Sequence, residues 1–188
     1  MTLRLLRFAS FTFPLLFAGH VFAEKADSEK GIEIVAGLGC TVDSIKQSRV
    51  CNGPVTLTQG TLVMKGTKLV VETSPDGWEF STLYAPANGK ATVRQKRDGG
   101  PDLWMEGEAA NRITYDQKTA VATLYNNAKV RRLTGTKTTD ESEGAYLAYN
   151  SNTEIVTASN NETGVSKQGD GPVTIRIQPH DHGEKKDK

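Results

Sequence analysis

Acidic side chains are the residues of this sequence whose type and spacing come closest to a catalytic arrangement. Glu106 and Glu108 alternate along one segment, and side chains two residues apart on a strand share a face at about 7 Å separation. Glycosidases use two carboxyl groups about 5–10 Å apart, so the spacing permits acid–base hydrolysis. Asp140, Glu141 and Glu143 form a second acidic cluster. Because both groups flank glycines, as solvated turn edges do, we expect no catalytic residue. A hydrolase on a β-scaffold is kept as the weakest alternative.

Histidine is missing from the part of the sequence that we expect to fold. His20 lies in an apolar N-terminal segment, and His180 and His182 lie in a polar C-terminal segment. Without a histidine, Ser–His and Cys–His nucleophiles and most catalytic zinc sites are excluded. The histidines around Asp181 have the composition of a loose metal site, but a solvated tail is the expected state. We therefore expect no metal and no cofactor.

The N-terminal residues have the pattern of a cleavable secretory signal. Arg4 and Arg7 precede the apolar segment Phe8–Phe22, and Ala23 ends a small-residue cleavage motif. Cleavage there removes two arginines and no acidic residue, which changes the formal net charge from +1 to −1. Because such a chain offers no basic field, we expect no nucleic-acid partner. The predicted organisation is a signal peptide at 1–23, one folded domain at 24–177 and a disordered polar tail at 178–188.

Cys40 and Cys51 are the only cysteines in the sequence. Export places them in an oxidising compartment, where two cysteines usually form a disulfide. The segment between them reads as a hairpin with its turn at Ile45-Lys46, so both cysteines lie equally far from the turn and opposite each other. Opposed positions bring the Cβ atoms within bridging distance. The prediction is a Cys40–Cys51 disulfide, with two free structural thiols as the alternative.

Strand periodicity dominates the rest of the chain. In Asn52–Val71, Val55 and Leu57 alternate with threonines, and breaks at Gly60 and Gly66 interrupt the apolar pattern. Short strands bent at glycines are the usual way in which a sheet curves without losing its pairing. The pattern therefore predicts a stack of short strands with one apolar face.

A weak internal repeat favours the same fold class. Ala110–Val130 and Gly144–Val165 carry matching residues 34 positions apart, and Cys40–Val55 is a less similar copy. Each copy has the order strand, polar turn, strand and Asn/Gly break. Repetition at a fixed spacing indicates stacked units that bury their apolar faces against neighbours. Hairpin composition in general would give the same likeness, and this alternative stays open.

The segment Lys129–Arg132 is a small basic patch. Its alternation with apolar residues indicates an exposed strand face. Contact with anionic head groups is the alternative.

Several segments, taken in their order and spacing, resemble the OstA-like family of lipopolysaccharide-transport proteins. They are the signal peptide, Gly31–Ile34, Asn52–Val71, Lys90–Gln95, Glu106–Asp116, Leu124–Val130 and Glu143–Asn150. The G-N-V-x-V-x-Q-G motif of the family is similar to Gly53–Gly60, with Pro54 in place of Asn. A proline in a strand predicts an edge or a bulge. The likeness extends to about residue 177, and the two cysteines depart from the family pattern.

The resemblance implies an all-β fold, an open β-jellyroll of stacked and slightly twisted antiparallel strands. It implies a non-enzymatic periplasmic protein that binds lipopolysaccharide, shelters the lipid A acyl chains in an apolar groove and needs no cofactor. Copies would join head to tail between an inner-membrane lipopolysaccharide export complex and an outer-membrane lipopolysaccharide translocon. Family positions that line the groove fall on Ile32, Ile34, Val93, Ile113 and Tyr115, and we extend the lining to Val55, Leu57, Leu124 and Leu147.

A related carrier, the soluble β-jellyroll of a translocon or of a membrane-anchored transport partner, is the nearer competing interpretation. A purely structural β-solenoid module is a competing interpretation from another class. Exposing an acyl chain of about a dozen methylenes to water costs on the order of 10 kcal/mol, at about 0.8 kcal/mol per methylene. A carrier therefore needs a continuous apolar cavity that is open at one end. A solenoid predicts a dry, filled interior instead.

Overall fold

The computed structural model describes residues 27–179, whose strands form one antiparallel network. The signal peptide predicted at 1–23 and the predicted tail beyond residue 179 lie outside the described residues. The strands are β1 (Glu33–Ala36), β2 (Cys40–Asp43), β3 (Ser48–Gln59), β4 (Leu62–Thr73), β5 (Glu79–Tyr84), β6 (Ala91–Lys96), β7 (Leu103–Ala109), β8 (Arg112–Asp116), β9 (Val121–Thr134), β10 (Lys137–Asn150), β11 (Ile155–Ser159) and β12 (Thr174–Ile177). The predicted fold class, an all-β jellyroll of antiparallel strands, is confirmed.

Four long strands, β3, β4, β9 and β10, run through two layers and bend between them. One half of each pairs into sheet A, in the order β2-β3-β4-β5-β8-β9-β10-β11. The other half pairs into sheet B, in the order β1-β3-β4-β6-β7-β9-β10-β12. The two sheets therefore face each other and are joined by continuous backbone along one side, which we call the corner.

The bends at the corner fall on residues that tolerate unusual backbone geometry. Gly53 has φ 88°, and Asn126 and Asn127 have φ 65° and 46°, the left-handed region that glycine and asparagine adopt most readily. The β3–β4 register shifts between Asn52 and Val55, so the proline at position 54 lies in a bulge. At Gly66, a Cβ atom would lie 2.5 Å from the Tyr84 carbonyl oxygen, so any side chain there would force the backbone to shift.

The repeated segments of the sequence form corresponding hairpins of sheet A. Each of the pairs β2–β3, β8–β9 and β10–β11 has its turn at the margin opposite the corner. We call this margin, where the strand ends of the two sheets face each other, the open side. The Asn/Gly breaks Asn52-Gly53 and Asn126-Asn127 lie where β3 and β9 pass into sheet B. The repeat is therefore a hairpin followed by a bend.

Candidate functional site

The apolar interior between the sheets contains all nine residues that the sequence predicted to line a groove. Seven belong to the buried core: Val55, Leu57, Val93, Ile113, Tyr115, Leu124 and Leu147. Ile32 and Ile34, at the β1 end of sheet B, are partly buried and pack against that core. The structure thus brings the predicted residues together from both sheets.

This interior is packed over most of its length. Ile113, Leu124 and Leu147 are 0% exposed. A cavity of about 380 Å³ opens beside Ile32 and Ile34, where Arg49, Gln59 and Gln117 complete its wall. This cavity lies at one end, and charged and amide side chains form much of its wall. The sequence predicted a continuous apolar cavity open at one end, whereas the space between the sheets is filled. The physical reason is that empty apolar space between two sheets forfeits both dispersion contacts and the hydrophobic gain, so the side chains fill it.

One polar bridge crosses the open side at the β1 end. The Ser28 carbonyl accepts hydrogen bonds from Gln59 Nε2 of sheet B, at 3.3 Å, and from Gln117 Nε2 beside sheet A, at 3.2 Å. Asp27, only 1% exposed, accepts from the Thr61 backbone N–H at 2.9 Å and from the Thr61 hydroxyl. Lys30 Nζ forms an ion pair with Asp27 Oδ1 at 3.2 Å. The segment 27–30 is therefore held to both sheets by side-chain hydrogen bonds.

A second polar bridge crosses the open side toward the β11 end. Arg97, which follows β6 of sheet B, contacts Glu154 Oε2 through Nη2 at 2.5 Å. Arg132 of β9 donates through Nη2 to the Glu154 carbonyl oxygen. Glu154 itself lies in the turn between β10 and β11 of sheet A, at φ 55°. One turn residue of sheet A therefore holds two arginines of sheet B.

The paired carboxylates lie on the outer face of sheet B in an ion-pair network. Glu106 contacts Arg94 at 3.1 Å, and Glu108 contacts Lys90 at 2.8 Å and Arg131 at 3.1 Å. Burial raises the pKa of Glu108, but the hydrogen bond from Lys90 and the surrounding cations outweigh it and hold this pKa below its ordinary value. A general acid needs a raised pKa, so this arrangement disfavours acid–base chemistry.

The second acidic cluster extends the same outer network. Glu143 accepts a hydrogen bond from Lys129 at 2.5 Å and another from Arg176, and both lower its pKa. Glu141 contacts Lys129, Arg131 and Arg176. The basic patch predicted at Lys129–Arg132 is thus divided by strand alternation, because Lys129 and Arg131 face outward into ion pairs and Arg132 faces Glu154. Among residues 27–179, no group of three or more His, Cys, Asp or Glu residues is arranged to hold a metal ion.

The cysteines lie at the β2 edge of sheet A. Cys40 and Cys51 are register partners and are joined by a disulfide. Cys51 is buried in the core, whereas Cys40 is exposed. The bridge therefore fastens a four-residue edge strand to the interior.

Both ends of the stack expose apolar side chains, which the sequence did not predict. At the β1 and β2 end these are Val35, Leu38, Val42 and Ile45; at the β11 and β12 end they are Ile155, Val165, Ile175 and Ile177. Their exposed fractions range from 59% to 96%. Within the described range, β1, β2, β11 and β12 each pair along one edge. The signal in the sequence was the alternation of Ile175 and Ile177 in β12, an apolar face that the structure leaves exposed at the edge.

Comparison with known proteins assigns this architecture. Residues 35–155 match the family model described as LptA/(LptD N-terminal domain) LPS transport protein. The chain belongs to this family. The match covers well over half of the sequence and confirms the resemblance seen in the sequence segments.

A solved structure has the same fold. It is the crystal structure of LptH, the LptA homologous periplasmic component of the conserved lipopolysaccharide transport device from Pseudomonas aeruginosa. The TM-score is 0.69 at 22% sequence identity, over 81% of this chain and 99% of that chain. A search of curated proteins gave no match. Within residues 27–179, no helix has the length and apolar character needed to cross a bilayer.

Proposed function

We propose that this protein is a periplasmic lipopolysaccharide carrier that holds lipid A acyl chains between its two sheets. The observation that carries the proposal is the apolar core, which extends from Ile32 and Ile34 at one end to Val156 and Ala158 at the other. Both of its ends meet edge strands with exposed apolar side chains. A lipid in this interior is shielded from water, and the edges allow the interior to continue into another molecule.

Loading requires the sheets to separate, because most of the proposed lining is fully packed. The packed lining residues would exchange contacts with one another for contacts with the methylenes of the acyl chains. These residues are Val55, Leu57, Val93, Ile113, Tyr115, Leu124 and Leu147. Burial of about a dozen methylenes gains on the order of 10 kcal/mol per acyl chain, which is enough to offset a substantial loss of core packing. Ile32 and Ile34 already line a cavity and would receive the lipid first.

Assembly would use the two exposed ends. The β1–β2 end and the β11–β12 end differ in sequence, so their contact would be heterologous and need not close into a ring. We propose that copies join head to tail and that the free ends meet an inner-membrane lipopolysaccharide export complex and an outer-membrane lipopolysaccharide translocon. The proposed exported form is the folded domain at 24–177 with the polar tail, after removal of 1–23 as a signal peptide.

The proposed role is binding without catalysis, a cofactor or a metal. Ion pairing holds Glu106 and Glu108 on the outer face of sheet B, away from the interior, which argues against the hydrolase alternative.

The test is site-specific photo-crosslinking to lipopolysaccharide. A photo-crosslinking phenylalanine analogue at Ile34 or Val93 should give an adduct that is visible as a mass shift after irradiation. The matched control is the same analogue at Thr92, which neighbours Val93 in β6 but is exposed. Adducts at Ile34 and Val93 with little at Thr92 support a lipid between the sheets. Equal labelling of all three positions, or none, contradicts the proposal and favours a structural module.

A further inference from the structure

Three hydrogen-bond donors face the interior of sheet B close to the open side. Arg94 pairs with Glu106 and lies 4.3 Å from the Trp104 ring centroid on the outer face, so the next side chain, Gln95, faces inward and is 2% exposed. Arg97 continues that inward alternation, and its side chain is 13% exposed. Arg132 faces inward because its neighbour Arg131 pairs with Glu108 on the outer face. Gln95 and Arg132 are both register neighbours of Met105, which places them in one row.

Two donor atoms in this row are buried without a partner among the described residues. They are Gln95 Nε2 and Arg132 Nε. Native proteins satisfy the large majority of buried side-chain polar atoms, so each exception calls for an explanation. Two such atoms in the same inward-facing row can each donate to a bound group. A group that both atoms contact is therefore an acceptor.

The donors in this cluster suit an anion. Arg97 contacts the Glu154 carboxylate, and Arg132 donates to the Glu154 carbonyl oxygen. Asp140 is the register partner of Arg132 in β10, and Arg97 and Asp98 both have further interactions. Phosphate monoesters carry a charge between about −1.5 and −2 at neutral pH and three acceptor oxygens, more than a carboxylate offers. Guanidinium groups bind phosphate with paired, charge-assisted hydrogen bonds.

We propose that Gln95, Arg97 and Arg132 form a binding site for the phosphate of an amphiphile, and that Glu154 fills this site when no lipid is bound. The inference rests on the proposed function, because it is the entry of acyl chains at the open side that brings a phosphorylated head group to this rim. Glu154 holds the arginines from the opposite sheet, so its displacement by phosphate also breaks a bridge between the sheets. Binding of the head group and opening of the interior are therefore coupled.

The backbone of Glu154 is that of the repeated hairpin turn. Its φ of 55° lies in the left-handed region, as do the φ of 52° at Gln47 and of 55° at Ala120, which end the β2–β3 and β8–β9 turns. The bond from Arg132 to the Glu154 carbonyl is formed only while the turn approaches sheet B, and its loss allows the turn to move away.

The experiment compares lipid A with the same lipid after removal of its phosphates, using the mature, disulfide-bonded protein. Arg132→Gln and Arg97→Gln should each weaken binding of phosphorylated lipid A about tenfold, the change that 1.4 kcal/mol produces. Binding of dephosphorylated lipid should stay unchanged. Arg94→Gln is the matched control, because Arg94 lies on the outer face of the same sheet. Glu154→Gln should bind phosphorylated lipid more tightly, which separates a binding role from loss of folding.

An NMR titration with inorganic phosphate distinguishes the source of the ligand. Shifts of the Arg132 Nε–H and Gln95 amide signals, together with the tenfold loss in lipid binding, support the proposal. Phosphate-dependent shifts in a protein that binds neither lipid would show a free-phosphate site, which overturns the amphiphile assignment and the proposed carrier function together. Equal affinities of Arg132→Gln, Arg97→Gln and Arg94→Gln for phosphorylated lipid, with wild-type lipid binding intact, would overturn the head-group site alone.

Discussion

The corner and the open side join the same two sheets by different means. At the corner, β3, β4, β9 and β10 cross between the sheets as continuous backbone, with bends at residues such as Gly66 and Asn126. At the open side, the described connections between the sheets are side-chain hydrogen bonds and one ion pair, formed by Gln59, Gln117 and Glu154 with their partners. The continuous backbone at the corner cannot separate, whereas hydrogen bonds and ion pairs at the open side can break and be replaced by hydrogen bonds to water.

This difference indicates how a packed interior can still accept a ligand. If the sheets move apart, they hinge at the corner and separate at the open side, where each bridge is worth about 0.5–3 kcal/mol. The core itself resists separation, since its side chains are shared by both sheets. Lipid must therefore replace core contacts at the same time as it breaks the polar bridges.

The largest expected effect is in the shared core. Leu124→Ala should lower the free energy of unfolding by about 2–5 kcal/mol, because Leu124 is 0% exposed and its loss leaves a cavity between the sheets. Ile155→Ala, at a position 59% exposed, is the control and should change stability by less than about 0.5 kcal/mol. Urea denaturation measures both. A small effect at Leu124 would show that the interior is not packed in solution.

Adding a side chain at the corner should lower the free energy of unfolding, although Gly66 is partly exposed. Gly66→Ala should lower the free energy of unfolding by about 1–3 kcal/mol, because the new Cβ would lie 2.5 Å from the Tyr84 carbonyl oxygen and 2.8 Å from Leu83 Cγ. Gly31→Ala is the matched control, since a Cβ there meets nothing within 4 Å. Thermal unfolding of both variants decides the question. Similar melting temperatures would mean that the corner can relax.

A change at the open side should lower the free energy of unfolding less than a change at the corner. Gln117→Ala removes the donor to the Ser28 carbonyl and the acceptor for the Glu79 N–H, and it should cost about 1 kcal/mol. Hydrogen exchange should rise locally at Glu79 and leave the corner amides unchanged. Thr119→Ala, an exposed change in the same turn, should alter neither. Faster exchange at the corner would contradict the proposed separation of the two regions.

The smallest effect concerns the exposed ion pair of Asp76 and Lys118, which lies at the open side but joins two turns of the same sheet, sheet A. Hydrogen bonds from Lys118 and Ser74 lower the pKa of Asp76 from 3.8 to about 2. Because this folded pKa is below the unfolded value, the pair stabilises the protein above pH 3.8, and that contribution disappears as the pH falls to about 2. An NMR titration of the Asp76 carboxyl should have its midpoint near 2 and should move toward 3.8 in Lys118→Met. An unchanged midpoint in the variant would show that Lys118 is not the cause.

Local features of the fold followed from the sequence because each rests on nearby residues. The hairpin between Cys40 and Cys51 follows from their equal distances to a turn, and the shared buried face of Val55 and Leu57 follows from their alternation with threonines. The segment 76–89 has weak periodicity, which does not distinguish a strand from a helix or a loop, and it contains β5 at Glu79–Tyr84. That strand is defined by its pairing with β4 and β8 rather than by its own pattern.

The bends at the corner and the polar bridges at the open side could not be predicted from the sequence and became visible only in the tertiary structure. The breaks at Gly66 and Asn126 were visible in the sequence, but they are bends within long strands rather than strand ends. Arg97 and Glu154 are 57 residues apart, and nothing local marks them as partners. Because side chains alternate between the two faces of a strand, Arg132 lies on the opposite face from Lys129 and Arg131. This alternation was the one signal in the sequence for the inward-facing arginine.

The most direct test of the account joins the two sheets across the open side. Gln59→Cys and Gln117→Cys, connected by a bismaleimide with the native disulfide intact, should block uptake of lipopolysaccharide. Thr82→Cys and Thr114→Cys, register partners within sheet A, give a control bridge that should leave uptake at the wild-type level. Uptake is measured as the photo-adduct formed at Val93. We expect the adduct to be lost only when the two sheets are joined to each other. An equal adduct yield in both bridged proteins would show that the sheets do not separate during uptake.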